Sequence, residues 1–248
     1  MNRYSRFQGF KKDLSVLREK HVVVVGVGGL GVIVLDTLAR LGVGTLEFFD
    51  LDTLETANLN RGVFLPEQIG MKKVDAIKEH LQKVNADVCS IARFGDVTDD
   101  AFKTFKESLA KCHVLMGCVD TPHARVFLNR EAVKTNTPYI DGGAREDGMD
   151  GAVLTIIPKK TPCYRCNKPV FEPVSAPKRE GPSGMCYATS LPTTMGIVGS
   201  LQSQEAIKCL LGLGDPAPAL IYRGIEGTVE RLDIGRDPAC KVCGGVGQ

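Results

Sequence analysis

The sequence has almost no excess of charge of either sign: 31 Lys and Arg stand against 29 Asp and Glu. That balance supplies no electrostatic drive toward nucleic acid or an anionic membrane, so neither is an expected partner and any anion site has to be local. The chain has no run approaching the roughly 18 apolar residues that a membrane-spanning helix needs. Met1 to Lys12 also lacks the apolar middle of a secretory leader, so the expected location is cytoplasmic. In a reducing compartment disulfides are disfavoured, which leaves metal binding, chemistry and simple burial to explain nine cysteines. No internal repeat is visible beyond an alternation of strand and helix patterns.

At 248 residues and 43% hydrophobic content, the chain is long enough for one large domain with helices layered on a sheet. The β-branched run His21 to Val25 predicts a strand, and Val32 to Ala39 repeats at helical spacing after a glycine turn. Thr45 to Phe49 predicts a second strand ending at Asp50, closing a βαβ unit. Further helices are expected over Lys73 to Val84, Asp100 to Lys111, Pro122 to Lys134 and Met195 to Leu213. Strands are expected over Val88 to Phe94 and Val114 to Cys118. This order predicts an α/β fold, a Rossmann-like, mostly parallel sheet flanked by helices. After Pro138 the periodicity weakens, and Pro158 to Met185 is expected to be a loop over an opening.

Gly26-Val27-Gly28-Gly29-Leu30-Gly31 lies between a strand and a helix, where unpaired N–H groups and the helix dipole face a phosphate and absent side chains permit close approach. Asp50, about 20 residues on, stands where a carboxylate accepts ribose hydroxyls. These features alone fit ATP or NAD, and glycines at such a turn also serve simply to pack a helix on a sheet. The loop Asp50 to Arg61, with Asp52, Asn58 and Asn60 in it, favours ATP: nicotinamide needs an apolar bed, whereas triphosphate chemistry needs the positive charge of Arg61 and Lys73. Asp120 follows a buried run at the same sheet edge, where a carboxylate holds Mg²⁺; capping the next helix is the alternative role.

Cys163-Tyr164-Arg165-Cys166 and Cys240-Lys241-Val242-Cys243 are two C-x₂-C pairs, each supplying half of a tetrahedral zinc site. A redox motif would need one isolated dithiol. With no histidine beside the sulfurs, the expected zinc is structural. Cys89, Cys112, Cys118 and Cys209 lie in or beside apolar segments and are expected in the core. Cys186, in a glycine-bearing loop before a helix, is either a nucleophile or a passive loop residue.

Taken together, the segments Arg3 to Arg6, the glycine loop, Asp50 to Arg61, Gly70 to Val74, Cys118 to Asp120, both cysteine pairs, Ser190 to Gly196 and Gly199 to Lys208 resemble the ThiF/MoeB/E1 superfamily of ubiquitin-like protein activators. The likeness is greatest to its compact E1 type, which activates a ubiquitin-fold modifier. The resemblance implies one adenylation domain over 1–248, with a nucleotide-binding half over about 18–135. A substrate, crossover-loop and zinc half would follow over about 136–248. It implies that ATP is held by the glycine loop, Asp50, Asp52 and Asn58. Arg61 and Lys73 would hold the phosphates, and Asp120 would hold Mg²⁺. Arg6 would reach into the partner's site across a homodimer. Cys186 falls at the position of the thioester nucleophile. The implied partner is a ubiquitin-like or sulfur-carrier protein ending in Gly-Gly, with an E2-like carrier downstream. The alternative outcome is sulfur transfer, with the adenylate leading to a thiocarboxylate.

Overall fold

The computed structural model describes residues 3–7, 9–99, 103–145, 147–167 and 190–244. Eight strands form one sheet in the order β3-β2-β1-β4-β5-β6-β7-β8. The strands are β1 (His21–Val25), β2 (Thr45–Asp50), β3 (Cys89–Phe94), β4 (Val114–Gly117), β5 (Tyr139–Ala144), β6 (Gly151–Ile156), β7 (Ala219–Arg223) and β8 (Thr228–Leu232). Strands β1 to β5 run parallel, and β6, β7 and β8 continue antiparallel from β5.

The helices are α1 (Gly29–Leu41), α2 (Lys73–Val84), α3 (Lys103–Leu109), α4 (Pro122–Thr135) and α5 (Pro192–Leu211). Among the described residues no helix is long and apolar enough to cross a membrane.

The period-2 pleat divides β1 between two cores. Val22 and Val24 face one side with Val32, Leu35 and Leu38 of α1, Ile77 and Leu81 of α2, and Val198 and Ala206 of α5. Val23 and Val25 face the other with Phe105 of α3, Phe127 and Leu128 of α4, and the buried cysteines Cys163, Cys240 and Cys243. The central parallel strands β1 and β4 are therefore covered on both faces, as their continuous apolar sequences predict. α1 and α5 lie together on the first face: a Cβ at Gly199 would meet Ile33 at 2.9 Å, so only a glycine lets the two helices approach this closely.

The turn after β1 is constrained by its glycines. Gly26 has φ +93°, and a Cβ there would lie 2.5 Å from the Cys118 carbonyl oxygen at the end of β4. A Cβ on Gly31 would collide with the Gly26 carbonyl oxygen itself. The first turn of α1 is thus pressed against the sheet edge by the absence of two side chains.

The expected elements before Pro138 are present, with α3 described only from Lys103. Four strands, β5 to β8, stand where the sequence predicted only a change of texture. Gly142 and Gly143 dilute β5, and β8 is almost wholly exposed, so neither shows the apolar run of a buried strand. Gly151 to Ile156 does carry such a run and was legible by the rule used for β1. Cys89, expected in the core, is exposed on the edge strand β3, and Cys112, Cys118 and Cys209 are half-buried. Burial pushes the Cys112 and Cys118 thiols up to about 12.

Gly31→Ala is expected to lose about 3 kcal/mol or more of stability in urea unfolding, because backbone rather than a flexible side chain must move. Gly28→Ala, where a Cβ meets nothing within 4 Å and φ is −88°, is expected to lose less than about 1 kcal/mol. Equal losses in the two variants would contradict the steric account of this turn.

Candidate functional site

Helix α1 begins at the C-terminal edge of the parallel strands with Gly28 as its N-cap and no side chain capping it. Its first intrahelical bond runs from the Val32 N–H to the Gly28 carbonyl. The N–H groups just before Val32 therefore sit at the positive end of the helix dipole, and the space in front of Gly28 is open. Leu30 contributes its backbone only, since its side chain is buried in the core. This open, positively polarised turn fits a phosphate.

Asp50, ending β2, holds the loop around it. Its carboxylate accepts from the Val27 N–H at 2.6 Å and the Asp52 N–H at 2.8 Å. Burial raises its pKa, while the Val27 N–H and the charge of Lys73 act in the opposite direction. Lys73, the first residue of α2, donates to Asp52 at 2.6 Å, and its backbone N–H bonds the Asp52 carbonyl at 3.1 Å. The structure thus joins Asp50, Asp52 and Lys73 in one network beside the glycine turn.

Arg61 reaches the same turn: a Cβ on Gly29 would lie 2.8 Å from Arg61 Cδ and 3.1 Å from Met195 Cγ. Its guanidinium donates to the Ala57 carbonyl at 3.1 Å and to Asn60 Oδ1 at 2.7 Å. Burial pulls the Arg61 pKa down and the charge of Asp120 pulls it up, so these two groups share one electrostatic neighbourhood. Asp120 is exposed, and the cap of α4 is Thr121, which accepts from the Ala124 N–H at 3.3 Å. Asp120 is therefore left without the capping role the sequence offered it. Asn58 instead serves its own loop, accepting from the Glu55 N–H at 2.9 Å in a capping box.

Arg6 lies elsewhere. Its neighbour Tyr4 accepts from Asn85 Nδ2 at 2.9 Å and packs on Gly42, and Arg3 donates to the Val84 carbonyl at 2.6 Å. These contacts anchor the segment at the C-terminal ends of α1 and α2. The glycine turn is at the opposite end of α1, about 20 Å away at 1.5 Å per residue. Within one chain, exposed Arg6 does not join the site. Cys186 lies outside the described residues, as does most of the expected crossover loop. The chain is described again from Ser190, whose carbonyl accepts from Asn60 Nδ2 at 3.5 Å, next to Arg61.

The sequence reading missed a buried polar cluster beneath this edge. Arg125 of α4 is ion-paired to Asp141 of β5, and the Tyr139 hydroxyl donates to Asp141 at 2.7 Å. On the opposite face Gln202 donates to the Gly117 and Ile140 carbonyls at 2.9 and 3.0 Å. Arg125 five residues after Asp120 was visible in sequence, but its partner on an unrecognised strand was not.

The four predicted metal cysteines converge, with all their sulfurs within 4.8 Å of one another. Cys163 lies 3.8 Å from Cys166 and 3.7 Å from Cys240, and Cys166 lies 3.5 Å from Cys243. Four sulfurs about 2.3 Å from a central zinc have edges of about 3.8 Å, whereas a disulfide is about 2.05 Å long. The donor set and spacing therefore fit zinc. Burial pushes the Cys163 thiol up; for Cys240 burial is outweighed by the N–H groups of Cys243 and Val242 and by neighbouring thiols, which bring it down to about 7. The second knuckle ties the chain to residues 77 positions earlier. The Tyr164 N–H in turn bonds Asn129 of α4 at 2.9 Å.

Purified chain is expected to contain about one zinc by mass spectrometry of metals. Stripping the metal, or making Cys240→Ser, should lower the melting temperature by several degrees, roughly the effect of losing a long-loop cross-link. A metal-free chain of unchanged melting temperature would contradict this.

Ubiquitin-like modifier-activating enzyme 5 of Arabidopsis thaliana is 31% identical over 258 residues, covering 96% of this chain and 60% of the relative. The Caenorhabditis elegans protein of that name is 35% identical over 253 residues, with 96% and 60% covered. The chain spans 60% of the length of both of these curated relatives. Among solved structures, E. coli MccB with MccA-N7isoASN has a TM-score of 0.80 at 25% identity, covering 98% of this chain and 75% of that one. E. coli MccB with AMPCPP and MccA has a TM-score of 0.81 at 25% identity, covering 98% and 74%. The ThiF family model matches residues 2–242, and the chain belongs to the ThiF family.

Proposed function

We propose that this chain adenylates the C-terminal carboxylate of a ubiquitin-like protein, using ATP held at the glycine turn. The observation that carries the reading is the contact of Arg61 with Gly29 at the uncapped start of α1, with the Asp120 carboxylate in the same electrostatic neighbourhood. A cation, a carboxylate and a set of helix N–H groups gathered at one sheet edge are the groups needed to bind and polarise a triphosphate. The family and the names of the relatives support the choice of substrate.

In this reading Asp50 holds the ribose and keeps the turn in shape through the Val27 N–H. Lys73 exchanges Asp52 for phosphate oxygen. Arg61 offsets charge at the α-phosphorus as the carboxylate attacks it, forming an acyl adenylate and releasing pyrophosphate. Mg²⁺, held by Asp120, would neutralise part of the phosphate charge. Cys186 then attacks the acyl carbon and releases AMP, leaving a thioester; the thiolate needs little help because the adenylate is already activated. Ser190, four residues after Cys186 in sequence, enters the described structure beside Asn60 and Arg61. Arg6 acts in the partner of a homodimer, consistent with its place far from the glycine turn of its own chain.

ATP–pyrophosphate exchange dependent on a protein ending in Gly-Gly tests the first half-reaction. Arg61→Ala and Asp120→Ala should each lower it about 10²- to 10³-fold. Cys186→Ala should leave exchange intact but abolish a partner adduct that reducing agent cleaves. Thiocarboxylate formation with a sulfur donor, without such an adduct, would replace conjugation by sulfur transfer. No exchange with any carboxylate-ended partner would sink the reading.

Mixing inactive Arg6→Ala and Arg61→Ala chains should restore about a quarter of the wild-type rate, since half the dimers would be mixed and carry one complete site each. No recovery would remove the trans role of Arg6.

A further inference from the structure

We infer that Arg125 is a positioning residue that sets the direction of the Asp120 carboxylate; this rests on the reading of Asp120 as the magnesium ligand. The Arg125 guanidinium is ion-paired to Asp141, which is completely buried in β5. The same guanidinium donates to the Val119 carbonyl at 2.8 Å and to the Gly142 carbonyl at 3.2 Å. Val119 immediately precedes Asp120, so the peptide that leads into Asp120 is fixed by a guanidinium of α4 that is itself anchored to Asp141 on the neighbouring strand.

The surroundings are shaped to admit this group. A Cβ on Gly143 would lie 2.5 Å from Arg125 Nη2, and one on Gly117 would lie 2.8 Å from Asp141 Oδ1. Neither glycine has positive φ, so what they supply is room. Tyr139, two residues from Asp141 on the same strand, fixes the carboxylate through its hydroxyl. From the other face Gln202 holds the Gly117 carbonyl, so the end of β4 is gripped on both sides before Asp120 leaves the sheet.

Stability alone is a poor reason for such a pair. Two charges lose their hydration on burial, and well-packed apolar residues in their place usually stabilise a fold as well or better. Apolar replacements cannot donate to the Val119 carbonyl. A fixed carbonyl beside a metal-binding carboxylate is the arrangement by which outer contacts tune metal affinity, commonly by about 10- to 100-fold.

The decisive comparison is between wild type, the double variant Arg125→Met/Asp141→Leu, and Arg125→Lys. The double variant removes both buried charges, and Arg125→Lys keeps the charge but loses the planar fork. ATP binding is measured by calorimetry across a magnesium titration, with pyrophosphate exchange in parallel and thermal melting as the control. The expected result is a double variant that melts near wild type yet needs about 10- to 100-fold more magnesium for half-maximal ATP binding, with magnesium-free ATP affinity unchanged. Arg125→Lys, should the double variant fail to fold, is expected to shift the magnesium requirement in the same direction. A folded variant with wild-type magnesium dependence overturns the inference. Wild type that binds Mg-ATP without exchange refutes adenylation but leaves the Arg125 comparison readable. Wild type whose ATP binding ignores magnesium overturns both.

Discussion

The constraint on which the site depends is the close approach of the first turn of α1 to the end of the sheet. It requires that no side chain stand between Gly31 and the Gly26 carbonyl, or between Gly26 and the Cys118 carbonyl. Once the helix is pressed there, its uncapped N–H groups lie at the C-terminal edge of the neighbouring parallel strands β1 and β4, from which the sheet extends to β2 on one side and to β5 on the other. Asp50 then secures the turn by accepting from the Val27 N–H. The site is a consequence of packing as much as of any one functional side chain.

Around that edge the chain places charges by short loops that are themselves hydrogen-bonded. Asn58 and Glu55 close the loop that presents Arg61, and the Asp52–Lys73 contact fastens the start of α2 to the same loop. Arg61 is thereby held by neutral oxygens of Ala57 and Asn60. A burial that lowers its pKa leaves it cationic all the same, because a guanidinium begins far above neutrality.

Helix α4 links this edge to the cysteine centre. Its N-terminal turn carries Arg125, bonded to the loop before Asp120, and four residues later Asn129 holds the turn containing Cys163 and Cys166. The cysteine centre in turn fixes residues 77 positions apart and seals the core against α3 and α4. Architecture and chemistry are therefore connected through one helix rather than through separate parts of the molecule.

The residue order by itself determined the elements whose cause is local: the βαβ start, the amphipathic α2, the glycine turn, the Asp50 to Arg61 loop and two cysteine pairs with metal spacing. Each is decided by backbone freedom, periodicity or short-range chemistry within a few residues. Tertiary structure alone decided that Arg61 lies on Gly29, that Thr121 rather than Asp120 caps α4, that Asn58 closes its own loop, and that Arg6 stands at the far end of α1. It also decided the Arg125–Asp141 pair, because the partner of a buried charge is set by which strand neighbours which. Strand β5 is half glycine and charge when read alone, and only beside β4 and α4 do Gly117, Asp141 and Gly143 make room for one guanidinium.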